Sequence, residues 1–143
     1  MTAPLFTEEA VSRYGWRRGI TMESPVLPCV DVDGPLRAVP LGSFRCYATR
    51  KGHRVFYTGL VQPVDENIVG IFRQIGADEK FLHLCLNLKR YCMRVSPKQQ
   101  EELLPRQAIC RLHGQRGPIR PEWEAFLARH DELCLRPDAL VLV

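Results

Sequence analysis

Residues 42–59 read GSFRCYATRKGHRVFYTG, and this stretch decides the fold class. Residues 44–49 carry Phe, Tyr and Thr, side chains that suit a pleated, half-buried surface, so they read as a strand. Arg50, Lys51 and Gly52 make a tight polar turn. Residues 53–61, rich in Val, Phe and Tyr, form a second strand that returns beside the first as a hairpin.

Outward from the hairpin the punctuation changes. Upstream, Thr7 is placed to cap a short helix over 8–14, with Ala10, Val11 and Tyr14 on one face. Residues 16–34 are broken by Pro and Gly and hold one short strand over 26–32, interrupted at Pro28. Asp33-Gly34-Pro35 is a turn signal, and 36–40 is extended at most. Downstream, 63–66 turns and 67–73 reads as a third strand. Leu82, Leu84, Leu86 and Leu88 then alternate over 81–88, the period of a half-buried strand, and 91–95 continues it or returns as its partner.

After residue 95 the period becomes helical. Ser96-Pro97-Lys98-Gln99 combines an N-cap, Pro at the first helical position and a capping-box Gln, so a helix runs over 97–104 until Pro105 interrupts it. Gly114 and Gly117 mark a loop. Pro121 opens the clearest helix, with Glu122 and Glu124 in the first turn, where the helix dipole favours acids. Trp123, Phe126, Leu127, His130 and Cys134 share one face of it. Arg136-Pro137 ends that helix, and 139–143 is a terminal strand or apolar tail. Strands first and helices later give the α+β class, with a small antiparallel sheet and helices packed on one face. A single domain spans 1–143, with an irregular N-terminal segment to residue 35 and a sheet-plus-helices core from 36.

Composition narrows the function classes. The chain has 143 residues, 45% hydrophobic and 25% charged, which is the profile of an ordinary globule and excludes a disordered tail. No apolar run reaches the ~18–20 residues of a membrane span. The first fifteen residues lack the apolar stretch of a secretory signal, so a cytoplasmic location is expected. The six cysteines are therefore expected to be reduced. Formal charge is +4, and the 20 basic residues include only four lysines. Arginine forks suit carboxylate, phosphate and planar partners. A surplus this mild permits attraction to nucleic acid or anionic lipid without arguing for either.

Gly-rich phosphate loops, CxxC pairs and His-Glu-x-x-His are all absent, and no cofactor is expected. Residues 42–59 do carry a pattern: Gly42, Arg50, His53, Phe56, Tyr57 and Gly59. This resembles the H-box of the lecithin:retinol acyltransferase-like, or H-box/NC, family within the NlpC/P60 papain-like superfamily. That family includes cellular phospholipase/acyltransferases and the 2A proteins of some picornaviruses. The resemblance implies a thiol nucleophile, with His53 as its base and Asp65, twelve residues on, orienting the imidazole. It also implies a Cys in the first turn of a late helix, where dipole and base lower its pKa. Trp123 stands at that position here, with Glu122 at the family's Asn. Cys110 is the remaining candidate nucleophile, although no helix-opening signal precedes it.

Two further constellations stand beside this one. Cys110-x2-His113 and His130-x3-Cys134 have ligand-like spacings, and together they could close a tetrahedral zinc site. Alternatively His130 and Cys134 belong to the apolar stripe of the last helix and need no metal. Arg50, Lys51 and Arg54 cluster at the hairpin turn, and Arg106, Arg111, Arg116 and Arg120 crowd the late loop. If the two adjoin they make a basic patch for RNA. The expectation is therefore a catalytically degenerate H-box/NC-type protein of the viral 2A kind, acting by binding a host or viral protein, RNA or a membrane surface. The alternatives are an active thiol acyltransferase or phospholipase using His53, Asp65 and Cys110, and a zinc-binding interaction module.

Overall fold

The computed structural model describes residues 5–9, 21–36, 42–49, 51–95, 107–108, 110–135 and 140–141. The helix expected over 97–104, Arg50 and Arg106 lie outside them. The described elements form an α+β arrangement of two antiparallel sheets, a short parallel pair and three helices.

The hairpin forms as its sequence indicates. Strand β4 is Phe44–Thr49 and strand β5 is Gly52–Phe56, paired so that Tyr47 faces Arg54 and Ala48 faces His53. Only glycine fits at the start of β5, because a Cβ on Gly52 would stand 2.0 Å from the Val32 carbonyl oxygen. β5 ends at Phe56, short of the strand expected to 61: the Tyr57 amide still donates to the Pro28 carbonyl at 3.0 Å, but Pro28 has no amide to return, and the chain turns as the Thr58 amide donates to the Phe56 carbonyl at 3.0 Å. On one side β5 pairs with β3 (Cys29–Asp33), which starts after Pro28 rather than at 26, since Pro has no amide for the ladder. On the other side β4 pairs with β8 (Cys110–Arg116), giving the order β3-β5-β4-β8. Strand β8 replaces the expected loop. Its Gly114 is tolerated because the register slips there by one residue: Gly114 faces Cys46, Leu112 faces Tyr47, and His113 is extra.

The second sheet was not legible. β1 (Thr7–Glu9) occupies the start of the expected helix over 8–14; residues 10–14 lie outside the described residues. β1 pairs with β2 (Thr21–Ser24), and β2 with β6 (Tyr91–Arg94). The described residues up to 35 thus hold three short strands. Residues 107–108 (β7) and 140–141 (β9) pair in parallel, so the terminal stretch does contain a strand.

Two expected strands are helices. α1 (Glu66–Gln74) replaces the strand over 67–73, because Asp65 caps it, accepting from the Ile68 amide at 2.8 Å. Ile68, Val69 and Phe72 form its buried stripe. α2 (Glu79–Leu88) replaces the strand over 81–88. Asp78 caps it and Lys89, in the left-handed region at φ 56°, closes it. A period-2 run of four leucines is also two i,i+4 pairs, Leu82/Leu86 and Leu84/Leu88, and leucine is a strong helix former.

α3 (Pro121–Cys134) matches its expectation, with Pro121 in the first turn and Trp123, Phe126, Leu127, His130 and Cys134 buried. It lies on the β4–β5 face that carries Tyr47, Arg54 and Phe56. The Trp123 ring stacks on Phe56 at 5.7 Å, and its Nε1 donates to the Leu60 carbonyl at 2.8 Å. Among the described residues no helix is long and apolar enough to cross a membrane.

Candidate functional site: a buried thiol–imidazole cluster

Side chains alternate along a strand. Tyr47 on β4, Arg54 on β5 and Cys110 on β8 therefore point to the α3 side, Cys110 standing opposite Thr49, two residues from Tyr47. On α3, His130 and Cys134 are one turn apart on the face turned to the sheet. The result is a closed group in which Cys110, His130 and Cys134 each have 0% exposure and their donor atoms all lie within 4.8 Å of one another.

Arg54 organises the group. Only 2% exposed, it donates from Nε to Asp31 Oδ1 at 3.1 Å, its cross-strand neighbour. Its Nη1 lies 3.1 Å from His130 Nε2 and 3.8 Å from Cys134 Sγ. A guanidinium only donates, so Nε2 must be the acceptor and the ring proton sits on Nδ1. Nδ1 donates to Asp131 Oδ1 at 3.0 Å. Asp131 also accepts from the Tyr47 hydroxyl and, through Oδ2, from Arg45 Nη1 at 3.4 Å. Burial opposes its ionisation, yet the hydrogen bonds from His130 and Tyr47 prevail and hold its carboxyl below the usual range. Cys110 Sγ is 4.0 Å from His130 Nε2.

The two thiols have opposite tendencies. Cys134 is pulled well below an ordinary thiol by the hydrogen bond from Cys110, against burial, with help from the Arg54 cation. Cys110, donating to Cys134 and desolvated, is pushed up. Arg54 stays charged: burial disfavours its cation, but Asp31 and the two thiols outweigh that.

The residues expected to act together are dispersed. His53 is adjacent to Arg54 on β5, so it points to the opposite face of the sheet from Cys110; its Nδ1 donates to the Gly34 carbonyl at 3.0 Å and its ring meets His113 at 5.2 Å. Asp65 is the N-cap of α1. The grouping of His53, Asp65 and Cys110 is thus not assembled. Of the four zinc candidates, Cys110, His130 and Cys134 converge, while His113 is exposed beside His53. Arg54 is buried and cannot meet nucleic acid, which corrects its expected role. Lys51 is exposed at the turn. Arg116 is exposed too, donating to the Gly42 carbonyl at 3.1 Å and lying over the Phe44 ring.

Sequence reasoning missed Arg54, Asp131 and Tyr47 as parts of the site. The signal for Arg54 was its place inside an otherwise apolar Arg-Val-Phe-Tyr strand. That for Asp131 was its position directly after His130.

A second surface stands apart from this core. β8 is an edge of its sheet, and Arg111, Leu112, His113, Gln115 and Arg116 are all exposed, Leu112 by 54%. Compared with known protein families, curated proteins and solved structures, the chain matches none at a significant level.

Proposed function

We propose that this chain works by binding rather than by turnover, and that its partner is an anionic polymer, RNA being the one to test. The observation that supports this reading is strand β8, a sheet edge whose exposed side chains include Arg111, His113 and Arg116, running antiparallel to the hairpin that ends in exposed Lys51. The cations Arg111, Arg116 and Lys51 can meet successive phosphates along an extended strand. All six cysteines are buried, so none is presented to a substrate. The reading does not lean on the H-box resemblance, whose base-facing-helix geometry His53 does not adopt.

Fluorescence anisotropy with a labelled single-stranded RNA tests it. Binding is expected at low salt, with log K falling against log salt by about 0.7 per phosphate contacted. Lys51→Glu with Arg111→Glu should weaken binding by about tenfold or more. Absence of capture at low salt refutes the RNA reading. A second reading, thiol chemistry, is favoured by one observation: Cys110, His130 and Asp131 stand in the order of a nucleophile, base and orienter. Labelling of Cys110 by a thiol-reactive lipid ester, lost in His130→Gln, would establish it.

A further inference from the structure

We propose that Cys110, His130 and Cys134 form a binding site for one soft divalent cation, zinc being the reference ion. Thiolate and imidazole are the donors that such ions prefer. The three donor atoms come from two elements, the first residue of β8 and the last two turns of α3, and already lie within 4.8 Å of one another. Around a tetrahedral ion with bonds of about 2.0–2.3 Å, donors stand about 3.3–3.8 Å apart, so a contraction of at most about 1.5 Å closes the site.

Two independent features prepare it. The imidazole is set in the ligating tautomer, because Nδ1–H donates to Asp131 and leaves Nε2 without a proton, its lone pair held by Arg54 Nη1 and lying 4.0 Å from Cys110 Sγ. This carboxylate–imidazole pairing is the outer support that zinc-bound histidines have. In addition, the donors already face a positive group, since Arg54 Nη1 contacts both His130 Nε2 and Cys134 Sγ.

Loading exchanges one cation for another. The bond from Arg54 Nη1 to His130 breaks, and metal bonds form to Nε2 and both sulfurs. Thiol protons are released to solvent, and a water completes the fourth position. The ion's two charges neutralise two thiolates, while Arg54 keeps Asp31 as its counterion through Nε. His113 takes no part, because it lies on the other face of the sheet.

The test uses the full chain, reduced, stripped with chelator and titrated with Co(II), then with Zn(II) in competition. One equivalent of Co(II) is expected to bind, with a thiolate-to-cobalt charge-transfer band and the intense visible bands of a tetrahedral site, both removed by zinc. Cys110→Ser, His130→Gln and Cys134→Ser should each weaken binding at least about a hundredfold, Asp131→Asn about tenfold, and His113→Ala not at all. If the serine variants fail to fold, the wild-type cobalt spectrum decides alone. A folded wild-type chain without the charge-transfer band overturns the proposal, as does loss of the band in His113→Ala.

Discussion

The chain buries two thiol pairs, and they differ in what surrounds them. Cys110 and Cys134 share a hydrogen bond beside the Arg54 guanidinium and the His130 ring. Cys85 on α2 and Cys92 on β6 also share one, but the charges that act on Cys92 are anionic, Glu23 and Asp31 among them. The hydrogen bond to Cys85, burial and those carboxylates all push the Cys92 thiol up. In the first pair Cys134 is pulled down instead. Burial is common to both, so it cannot set the difference. The hydrogen bond from Cys110 is the larger pull on Cys134, and a cation delivered across the sheet, Arg54 in the middle of β5, adds to it where Cys92 meets carboxylates.

The strongest way to break this contrast is to remove that cation. Arg54→Met should destabilise the fold by about 3 kcal/mol in urea unfolding, since it strips a buried charge from Asp31 and the thiols. Asp31 is partly exposed, which keeps the cost at the low end of that class. It should also raise the Cys134 thiol towards its partner's behaviour. No loss of stability would mean that Arg54 is not the organiser.

The next effect lies in pH dependence, measured in metal-free buffer. Cys134 has a depressed folded pKa, so between that value and the ordinary thiol pKa of about 8.5 the unfolded chain binds more protons. Its contribution therefore grows as pH rises through this window and is lost as pH falls through the folded pKa. One proton is worth about 1.4 kcal/mol per pH unit. Cys134→Ser should flatten the unfolding free energy between about pH 5 and 8 by up to this slope. Cys92 is raised, so it holds its proton in both states below about pH 8. Cys92→Ser should leave the slope there unchanged and remove a decline above about pH 9.

The smallest change sharpens the comparison. Asp31 acts on both pairs, so Asp31→Asn should ease the ionisation of Cys92 and Cys110 alike, seen as thiolate absorbance during a pH titration. Its cost in stability should be smaller than that of Arg54→Met, because an amide oxygen still accepts from Arg54 Nε although the buried guanidinium loses its counterion. A shift confined to one pair would show that the other does not feel Asp31.

Legibility in the sequence followed the number of independent signals at each element. The 44–56 hairpin and α3 were readable because composition, turn or cap residues and periodicity agreed there. α1 and α2 were misread where β-rich or alternating apolar residues outweighed two capping aspartates, Asp65 and Asp78, whose role depends on one local hydrogen bond. β8 was unreadable, because an exposed edge strand with a register slip has no apolar alternation to show. For the cluster, spacing brought forward Cys110, His130 and Cys134 but could not separate them from His113, since that choice is made by which face of the sheet each reaches. Arg54 looked like a surface cation because its neighbours on α3 are 76 and 80 residues away.

The extra residue on β8 has a long reach. Beyond the slip, Gln115 falls on the same side as Arg45, and Arg45 Nε donates to its Oε1 at 2.8 Å. Arg45 then grips Asp131, and Asp131 fixes the proton of the His130 ring. Without the slip the same residues would pair Gly114 with Arg45 and Gln115 with Phe44, turning Gln115 to the far side and cutting this relay at its first joint. The rim of the sheet thus sets which nitrogen of an interior imidazole is bare, and a one-residue irregularity at the surface becomes a choice of tautomer in the core.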